Sequence, residues 1–176
     1  ACLVGSEMCI RDSHIPTLGE FWDTVGTVHD LSVDIKDDAV TDVLVDIAQQ
    51  SHFDPKKLWV CHHRHEEVLS IRKRHSDIRV VDSTRLNRLK NSLEMRSSEN
   101  SQAGVDAINM HFTDWTGGSV TLAHRFGLYA FGWDIQFAHQ LENCLTMGLD
   151  AVYSDHVDRM VDAYRNFYGR TPHTSE

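Results

Sequence analysis

The chain has 176 residues, of which 41% are hydrophobic and 24% are charged, and its formal net charge at pH 7 is -9. This composition is typical of a globular protein, and no apolar run approaches the roughly 18 residues of a membrane span, so we predict no membrane-spanning helix. An acidic chain lacks the basic surface that binds phosphate backbones, which excludes nucleic acid as a partner. An anionic ligand would need positive charge placed locally.

The four cysteines, Cys2, Cys9, Cys61 and Cys144, have neither the spacing of a metal site nor the density of a disulfide framework. We therefore expect free thiols in a reducing compartment, which favours the cytoplasm. Residues 1–13 show neither helical nor strand periodicity and resemble translated sequencing-adapter sequence. We expect this segment to be non-native or disordered and the natural sequence to begin at residue 14.

A helix is predicted to begin after Thr17, because Glu20 completes a capping box and apolar residues follow at helical spacing. Downstream, six short runs rich in β-branched and aromatic residues alternate with helical segments. The runs cover 31–36, 58–63, 78–83, 107–112, 128–133 and 151–155. Strands that alternate with helices pair in parallel. We predict an α/β fold, a partial TIM (β/α) barrel with about six parallel strands of eight and flanking helices; a complete barrel takes about 250 residues.

The intervening segments fill in this pattern. We predict helices over about 40–48 and 66–74, and one through Leu86 and Leu93 that leads into a surface loop over 97–102. Gly127 and Gly148 are predicted to terminate the next two helices in the left-handed conformation. A closing helix around 157–164 completes one domain over 14–166, and 167–176 is predicted to be a flexible tail.

Polar residues at the strand ends are the candidates for chemistry, because active sites of β/α barrels lie there. Ser32, Asp34 and Lys36 alternate along one strand and share a face, which is predicted to point into the barrel. Asp34 could bind a hard metal ion beside Lys36 as a phosphate-pairing cation. Alternatively, the two form a structural ion pair.

Four segments, IPTLGE at 15–20, LSVDIK at 31–36, FGWD at 131–134 and MGLDAVYSD at 147–155, resemble in order and spacing the glycerophosphodiester phosphodiesterase family. The resemblance covers about residues 14–166. It implies a β/α barrel that hydrolyses a small-molecule glycerophosphodiester to sn-glycerol 3-phosphate and an alcohol, with a divalent cation (Ca²⁺ or Mg²⁺) and two histidines. Asp34 matches a metal-binding carboxylate that is normally Glu, Lys36 matches a lysine that faces the phosphate, and Trp133 matches an aromatic residue against the glycerol.

The departures from the family are also informative. The resemblance places the catalytic histidines and two metal carboxylates in His-Arg-Gly, Glu-Asn-Thr, Glu-x-Asp and His-Asp motifs upstream of Ile15, where this sequence has none. We therefore expect a fragment that is inactive as written. His62 and His63 replace the family's Ser-Phe pair, which changes the predicted substrate wall.

Three further residues are predicted to contact substrate. Adjacent strand residues point to opposite faces, so His62 and His63 cannot easily bind the same zinc ion. We place His63 at the barrel mouth. Asn109 and His111 share a face and are predicted to line the mouth, although His111 could equally be a hydrogen-bonded core histidine. Asp155 could cap the following helix or join the polar residues at the barrel mouth, and we favour the cap.

Two other functions are compatible with the sequence. A partial barrel could be a non-catalytic scaffold, because its open sheet edges can pair with a complementary piece. It could also belong to another phosphate-handling TIM-barrel enzyme, since the fold alone does not determine the activity. The sequence makes no prediction of the oligomeric state.

Overall fold

Parallel strands in sequence order form the centre of the molecule, with helices on one side. The computed structural model describes residues 15–170. The strands are β1 (Leu31–Asp34), β2 (Leu58–His62), β3 (Arg79–Thr84), β4 (Ala107–His111), β5 (Tyr129–Trp133) and β6 (Ala151–Val152). The helices are α1 (Leu18–Val25), α2 (Val40–Gln50), α3 (His65–Arg74), α4 (Leu93–Ala103), α5 (Gly117–Arg125), α6 (Ala138–Met147) and α7 (Val157–Tyr168), with short 3-10 helices at Pro55–Lys57, Leu86–Arg88 and Phe112–Asp114.

The six-stranded sheet has the order β1-β2-β3-β4-β5-β6, and every neighbouring pair is parallel. Ser32 in β1 and Tyr153, which directly follows β6, lie at opposite ends of this order, yet their hydroxyl oxygens are 2.9 Å apart. The sheet therefore curls so that its two ends approach each other across a concave face. This confirms the predicted partial TIM (β/α) barrel.

Alternate residues of each strand pack into different layers, as the period of a strand requires. Val60, Val80, Ile108 and Ala130 point outward and are fully buried against the helices. On the concave face a smaller apolar cluster is formed by Cys61, Val81, Ala107 and Phe131, with Trp59, Ala151 and Tyr153 against it. The inward-facing residues at the carboxyl ends of the strands are then left to form a cavity.

The predicted helix ends are confirmed at three positions. Thr17 Oγ1 accepts a hydrogen bond from the Glu20 backbone N–H at 3.3 Å, and Glu20 Oε2 accepts one from the Thr17 N–H at 2.7 Å, which completes the capping box. Gly127 and Gly148 have φ angles of 73° and 90°. These left-handed conformations, favourable for glycine, follow the last turns of α5 and α6, and a strand begins within three residues of each glycine.

The prediction of a surface loop over 97–102 is wrong. These residues belong to α4, and Ser97 and Asn100 within them are buried. The segment is polar because its inner face meets a buried carboxylate on β3: Arg96 and Asn100 both donate hydrogen bonds to Asp82. A helix that packs against a charge does not show an apolar stripe.

Other boundaries differ by a few residues. The helix predicted through Leu86 and Leu93 is divided in the structure, because Leu86–Arg88 form a 3-10 helix and α4 begins only at Leu93. The strand β6 covers Ala151–Val152 rather than 151–155. The closing helix continues to Tyr168, so the first two residues of the predicted tail are helical. The segment 1–13 and the tail residues 171–176 lie outside the described residues. Within 15–170, no helix is both long and apolar enough to cross a membrane.

Candidate functional site

Polar side chains at the carboxyl ends of the strands surround a cavity of about 460 Å³, here called the central cavity. It is lined by Ser32, Asp34, Lys36, Cys61, His63, Ser83, Thr84, Arg85, Arg88, Asn109, Trp133 and Tyr153. Residues from the ends of several strands thus converge, which is the usual position of the active site in a β/α barrel. Five of the six predicted site residues are among them, and the sixth, His111, packs behind Trp133.

Asp34 and Lys36 form an ion pair between Asp34 Oδ2 and Lys36 Nζ. Both side chains line the central cavity, as the prediction that they point into the barrel requires, but they are 54% and 77% exposed and therefore not buried. Both lie at the end of β1, an outer strand of the described sheet, and no described strand covers them on the other side. The structural ion pair therefore exists, and it holds one ammonium group at the rim of the cavity.

Trp133 is held from two sides at the end of β5. The Arg85 guanidinium lies 5.6 Å from the centroid of the indole ring, and the His111 ring meets the indole edge-on with centroids 4.6 Å apart. Arg85 is itself fixed by Asp114, whose Oδ2 accepts from Arg85 Nε at 2.6 Å, and this hydrogen bond raises the pKa of Arg85. These contacts give Trp133 a defined orientation at the cavity wall.

His111 is fully engaged by its neighbours. Its Nδ1 lies 2.7 Å from Thr113 Oγ1, and its Nε2 lies 3.1 Å from Asp134 Oδ2. The hydrogen bond from His111, with another from Gln136, lowers the pKa of Asp134. Asp134 has a positive φ of 66°, a conformation that few residues other than glycine adopt. The alternative of a hydrogen-bonded histidine describes His111 better than a direct substrate contact.

Asn109 lines the central cavity, is 6% exposed, and has a buried side-chain oxygen that is unsatisfied. Its Nδ2 donates to Ser83 Oγ at 3.3 Å, whereas its Oδ1 has no hydrogen-bond partner in the described part of the chain. A buried acceptor without a partner is costly, by roughly 1–3 kcal/mol. A ligand hydroxyl that donated to this oxygen would remove the cost.

The two adjacent histidines differ in burial but do not point to opposite faces as predicted, because β2 ends at His62 and the two rings lie side by side. His62 is fully buried, with Nε2 3.1 Å from Asp38 Oδ1, while His63 is exposed and lines the cavity. Their rings stack with centroids 4.8 Å apart. Among residues 15–170, no group of three or more His, Cys, Asp or Glu side chains is placed to hold a metal ion, so His62 and His63 belong to no such group.

The floor of the cavity is formed by Ser32, Cys61 and Tyr153. The Tyr153 hydroxyl lies 2.9 Å from Ser32 Oγ and 3.7 Å from Cys61 Sγ. Burial raises the pKa of the Cys61 thiol and of the Tyr153 hydroxyl, so both are protonated at neutral pH. The interpretation of Asp155 as a helix cap is wrong, because its Oδ2 accepts from Gln136 Nε2 at 3.0 Å instead.

Arg85, Arg88 and Tyr153 line the cavity but were not singled out in the sequence. Arg85 follows a strand that ends in polar residues, which is the signal that identified Asn109 and could have identified Arg85 too. Arg88 also borders a second cavity of about 310 Å³, here called the side cavity. It lies between the ends of β2 and β3 and helices α3 and α4, and is lined by His63, Arg64, His65, Glu66, Ser83, Thr84, Arg88, Leu89, Lys90, Asn91, Arg96 and Glu99.

No protein-family model matches the sequence, and no significant match is found among curated protein sequences. Solved structures do match. One from Silicibacter pomeroyi DSS-3, described as a glycerophosphoryl diester phosphodiesterase, has a TM-score of 0.75 at 19% identity over 87% of this chain and 57% of its own. A glycerophosphodiester phosphodiesterase from Galdieria sulphuraria has a TM-score of 0.70 at 16% identity, over 86% and 65%.

A third structure is an Oleispira antarctica phosphodiesterase in complex with the product sn-glycerol-3-phosphate, with a TM-score of 0.68 at 17% identity, over 85% of this chain and 61% of its own. The fold is similar to the β/α barrels of these phosphodiesterases. The chain spans about three fifths of these solved structures, from 57% to 65% of their lengths. The similarity to these structures confirms the fold that the sequence motifs predicted for this chain.

Proposed function

We propose that this chain is part of a phosphoric diester hydrolase of the glycerophosphodiester phosphodiesterase type, which converts a glycerophosphodiester and water to sn-glycerol 3-phosphate and an alcohol. The proposal is carried by one observation, the convergence of Lys36, Asn109 and Trp133 on one cavity at the strand ends of this fold. The product complex of a structurally similar phosphodiesterase supports the same ligand class.

Each of these residues fits one part of such a ligand. Lys36 supplies a local positive charge for the phosphate. A local charge is needed because the net charge of the chain is -9. Trp133 offers the apolar face of an oriented indole to the carbon skeleton of glycerol. The free Oδ1 of Asn109 would accept from a glycerol hydroxyl. Together they bind and orient a glycerol phosphate group.

The described residues do not form a complete cation site. Asp34 is the single carboxylate among the residues that line the central cavity, and it already pairs with Lys36. Ca²⁺ takes six to eight oxygen ligands, and Mg²⁺ takes about six of which several are water, so Asp34 supplies one position of such a shell. We propose that a Ca²⁺ or Mg²⁺ ion used by the whole enzyme takes most of its ligands from outside residues 15–170, with Asp34 as one ligand.

The described residues also do not provide a pair of histidines for general acid-base chemistry. A histidine that transfers protons to and from the substrate must have a ring nitrogen free to reach it. His62 and His111 both use their ring nitrogens within the protein, and His63 alone of the three faces the cavity. We therefore propose that this part of the chain binds the diester and that the paired catalytic histidines belong elsewhere in the whole enzyme, so the chain by itself does not hydrolyse it.

Calorimetric titration of the chain with sn-glycerol 3-phosphate tests the binding proposal. Lys36→Gln is expected to weaken binding about tenfold, the effect of one charge-assisted contact. Trp133→Ala should weaken it as well. The matched control is Lys56→Gln, an exposed lysine in the 3-10 helix before β2, away from the cavity. Equal affinities for Lys36→Gln and Lys56→Gln would contradict the proposal.

A binding scaffold without catalysis is the second candidate, favoured by the lack of a three-ligand metal group within residues 15–170. An enzyme-coupled assay for released glycerol 3-phosphate separates the two when the whole protein is measured with Ca²⁺ or Mg²⁺. Release that requires the cation and falls with Lys36→Gln supports the hydrolase. Tight diester binding without release supports the scaffold.

We further propose that the protein acts on glycerophospholipid-derived diesters in the cytoplasm. The support for this location is the state of its described cysteines: Cys61 and Cys144 are buried free thiols without a disulfide. Such thiols are typical of proteins from a reducing compartment. Fractionation of cells that express the full-length protein, with detection by antibody, would test the location, and recovery in a secreted fraction would contradict it.

A further inference from the structure

The central cavity and the side cavity are joined by a shared wall. His63, Ser83, Thr84 and Arg88 line both of them. A ligand bound with its phosphate near Lys36 can therefore extend past these four residues into the side cavity, whose volume of about 310 Å³ accommodates a further substituent. That substituent would be the alcohol portion of a diester whose glycerol lies against Trp133.

Arg88 is distinct among the Lys and Arg residues that line the two cavities, because each of the others pairs with a carboxylate. The pairs are Arg64 with Asp38, Lys90 with Glu66, Arg96 with Asp82, Lys36 with Asp34, and Arg85 with Asp114. Arg88 has no ion-pair partner among residues 15–170 and lies on the shared wall. Its guanidinium is therefore available to a ligand.

The neighbours of Arg88 on the shared wall add donors. Ser83 and Thr84 offer hydroxyl groups, and His63 offers an imidazole whose nitrogens bond to no described residue. A planar guanidinium beside such donors suits the bidentate recognition of a phosphate or carboxylate. The same group repels a quaternary ammonium such as choline.

We propose that the side cavity is a subsite for a negatively charged alcohol portion of the diester, with Arg88 as its specificity-determining residue. This inference rests on the proposed function for the identity of the ligand, though not for the charge of the subsite. The preferred substrates are then glycerophosphodiesters whose alcohol carries an additional phosphate or carboxylate, in preference to those whose alcohol carries a cation.

Calorimetric titration with three diesters that differ in the charge of the alcohol tests this inference. Glycerophosphoinositol 4-phosphate, glycerophosphoinositol and glycerophosphocholine share the glycerol phosphate portion. The unsubstituted chain should bind the first about tenfold more tightly than the second, the effect of one charge-assisted contact, and should bind the choline diester most weakly. Raising the salt concentration should reduce the first difference.

Arg88→Gln should reduce the roughly tenfold preference for glycerophosphoinositol 4-phosphate over glycerophosphoinositol to about equal affinities for the two diesters. Arg88→Lys should retain part of it, because the charge remains and the bidentate geometry is lost. Arg125→Gln is the matched control, since Arg125 is exposed on α5 outside both cavities. A preference that persists in Arg88→Gln, or equal affinities for all three diesters, would overturn the subsite.

Free inositol 1,4-bisphosphate separates this inference from the proposed function, because it has no glycerol phosphate portion. Weak binding of this compound that Arg88→Gln removes, with no binding of any diester, would support the anionic subsite and contradict the diester hydrolase. Binding of the diesters that Lys36→Gln weakens and Arg88→Gln leaves unchanged would support the hydrolase and overturn the subsite.

Discussion

Ser32 and Tyr153 are separated by 121 positions in the sequence and joined by a hydrogen bond of 2.9 Å between their hydroxyl oxygens. Ser32 lies in the first strand of the described sheet and Tyr153 directly follows the last. Burial raises the pKa of the Tyr153 hydroxyl, which therefore remains neutral. The concave face of the half-barrel is closed at this point.

Tyr153→Phe is expected to lower the free energy of unfolding by about 1 kcal/mol, the typical net value of one hydrogen bond. The measurement is urea denaturation, and a double-mutant cycle with Ser32→Ala isolates the pair. Tyr129→Phe is the control, because the Tyr129 hydroxyl makes no hydrogen bond with the described residues and lies on the same face. Additive effects of Tyr153→Phe and Ser32→Ala would show that the hydrogen bond does not contribute.

Gly132→Ala should destabilise the fold by about 1–3 kcal/mol through overpacking. An added Cβ would lie 2.7 Å from Leu149 Cδ2 and 3.2 Å from Ile135 Cδ1, and both of these side chains are buried. Thermal unfolding measures the change. Gly118→Ala in the first turn of α5 meets no close atom, with Thr116 Oγ1 at 3.8 Å, and should leave the unfolding temperature unchanged or raise it.

Arg96→Met is expected to lower the free energy of unfolding by about 3 kcal/mol or more, because it leaves a buried carboxylate without its cation. Asp82 is fully buried and accepts from Arg96 Nε at 2.6 Å and from Nη2 at 2.9 Å. Arg165→Met removes an exposed pair with Asp162 and should cost no more than about 1 kcal/mol. Similar losses in the two variants would mean that the Asp82 pair is solvated.

Acidification should release Asp134 from His111 at a pH below the ordinary carboxyl range. The pKa of Asp134 is lowered, chiefly by its hydrogen bond with His111, so the stabilisation is present above the ordinary carboxyl pKa of about 3.9 and is lost as the pH falls through the lowered value. Carbon NMR titration of the carboxyl group measures this pKa. His111→Phe should raise it towards the ordinary value, and an identical pKa in both proteins would contradict the assignment.

The six strands could be predicted because each is a short run of β-branched, aromatic and other apolar residues between two helical segments, which is a local pattern. Helix α4 could not be predicted correctly, because its polar residues face Asp82, a partner in another element that local periodicity does not reveal. The same limit explains Asp155, whose partner Gln136 lies 19 positions away.

The site was predictable to the extent that it follows from strand ends. Asp34, His63, Asn109 and Trp133 occupy such positions and line the central cavity. Arg88 lies in the 3-10 helix after β3, where the sequence gives no sign of which direction a side chain takes.

The sheet order has a consequence for how the chain acquires its structure. Each strand after β1 pairs with the strand that immediately precedes it, and the connection between the two contains one α-helix. Contacts between near neighbours in sequence cost little loop entropy, so each new unit can dock as soon as it is synthesised. The link from Ser32 to Tyr153 spans nearly the whole array, and it forms only after the sixth strand has emerged from the ribosome.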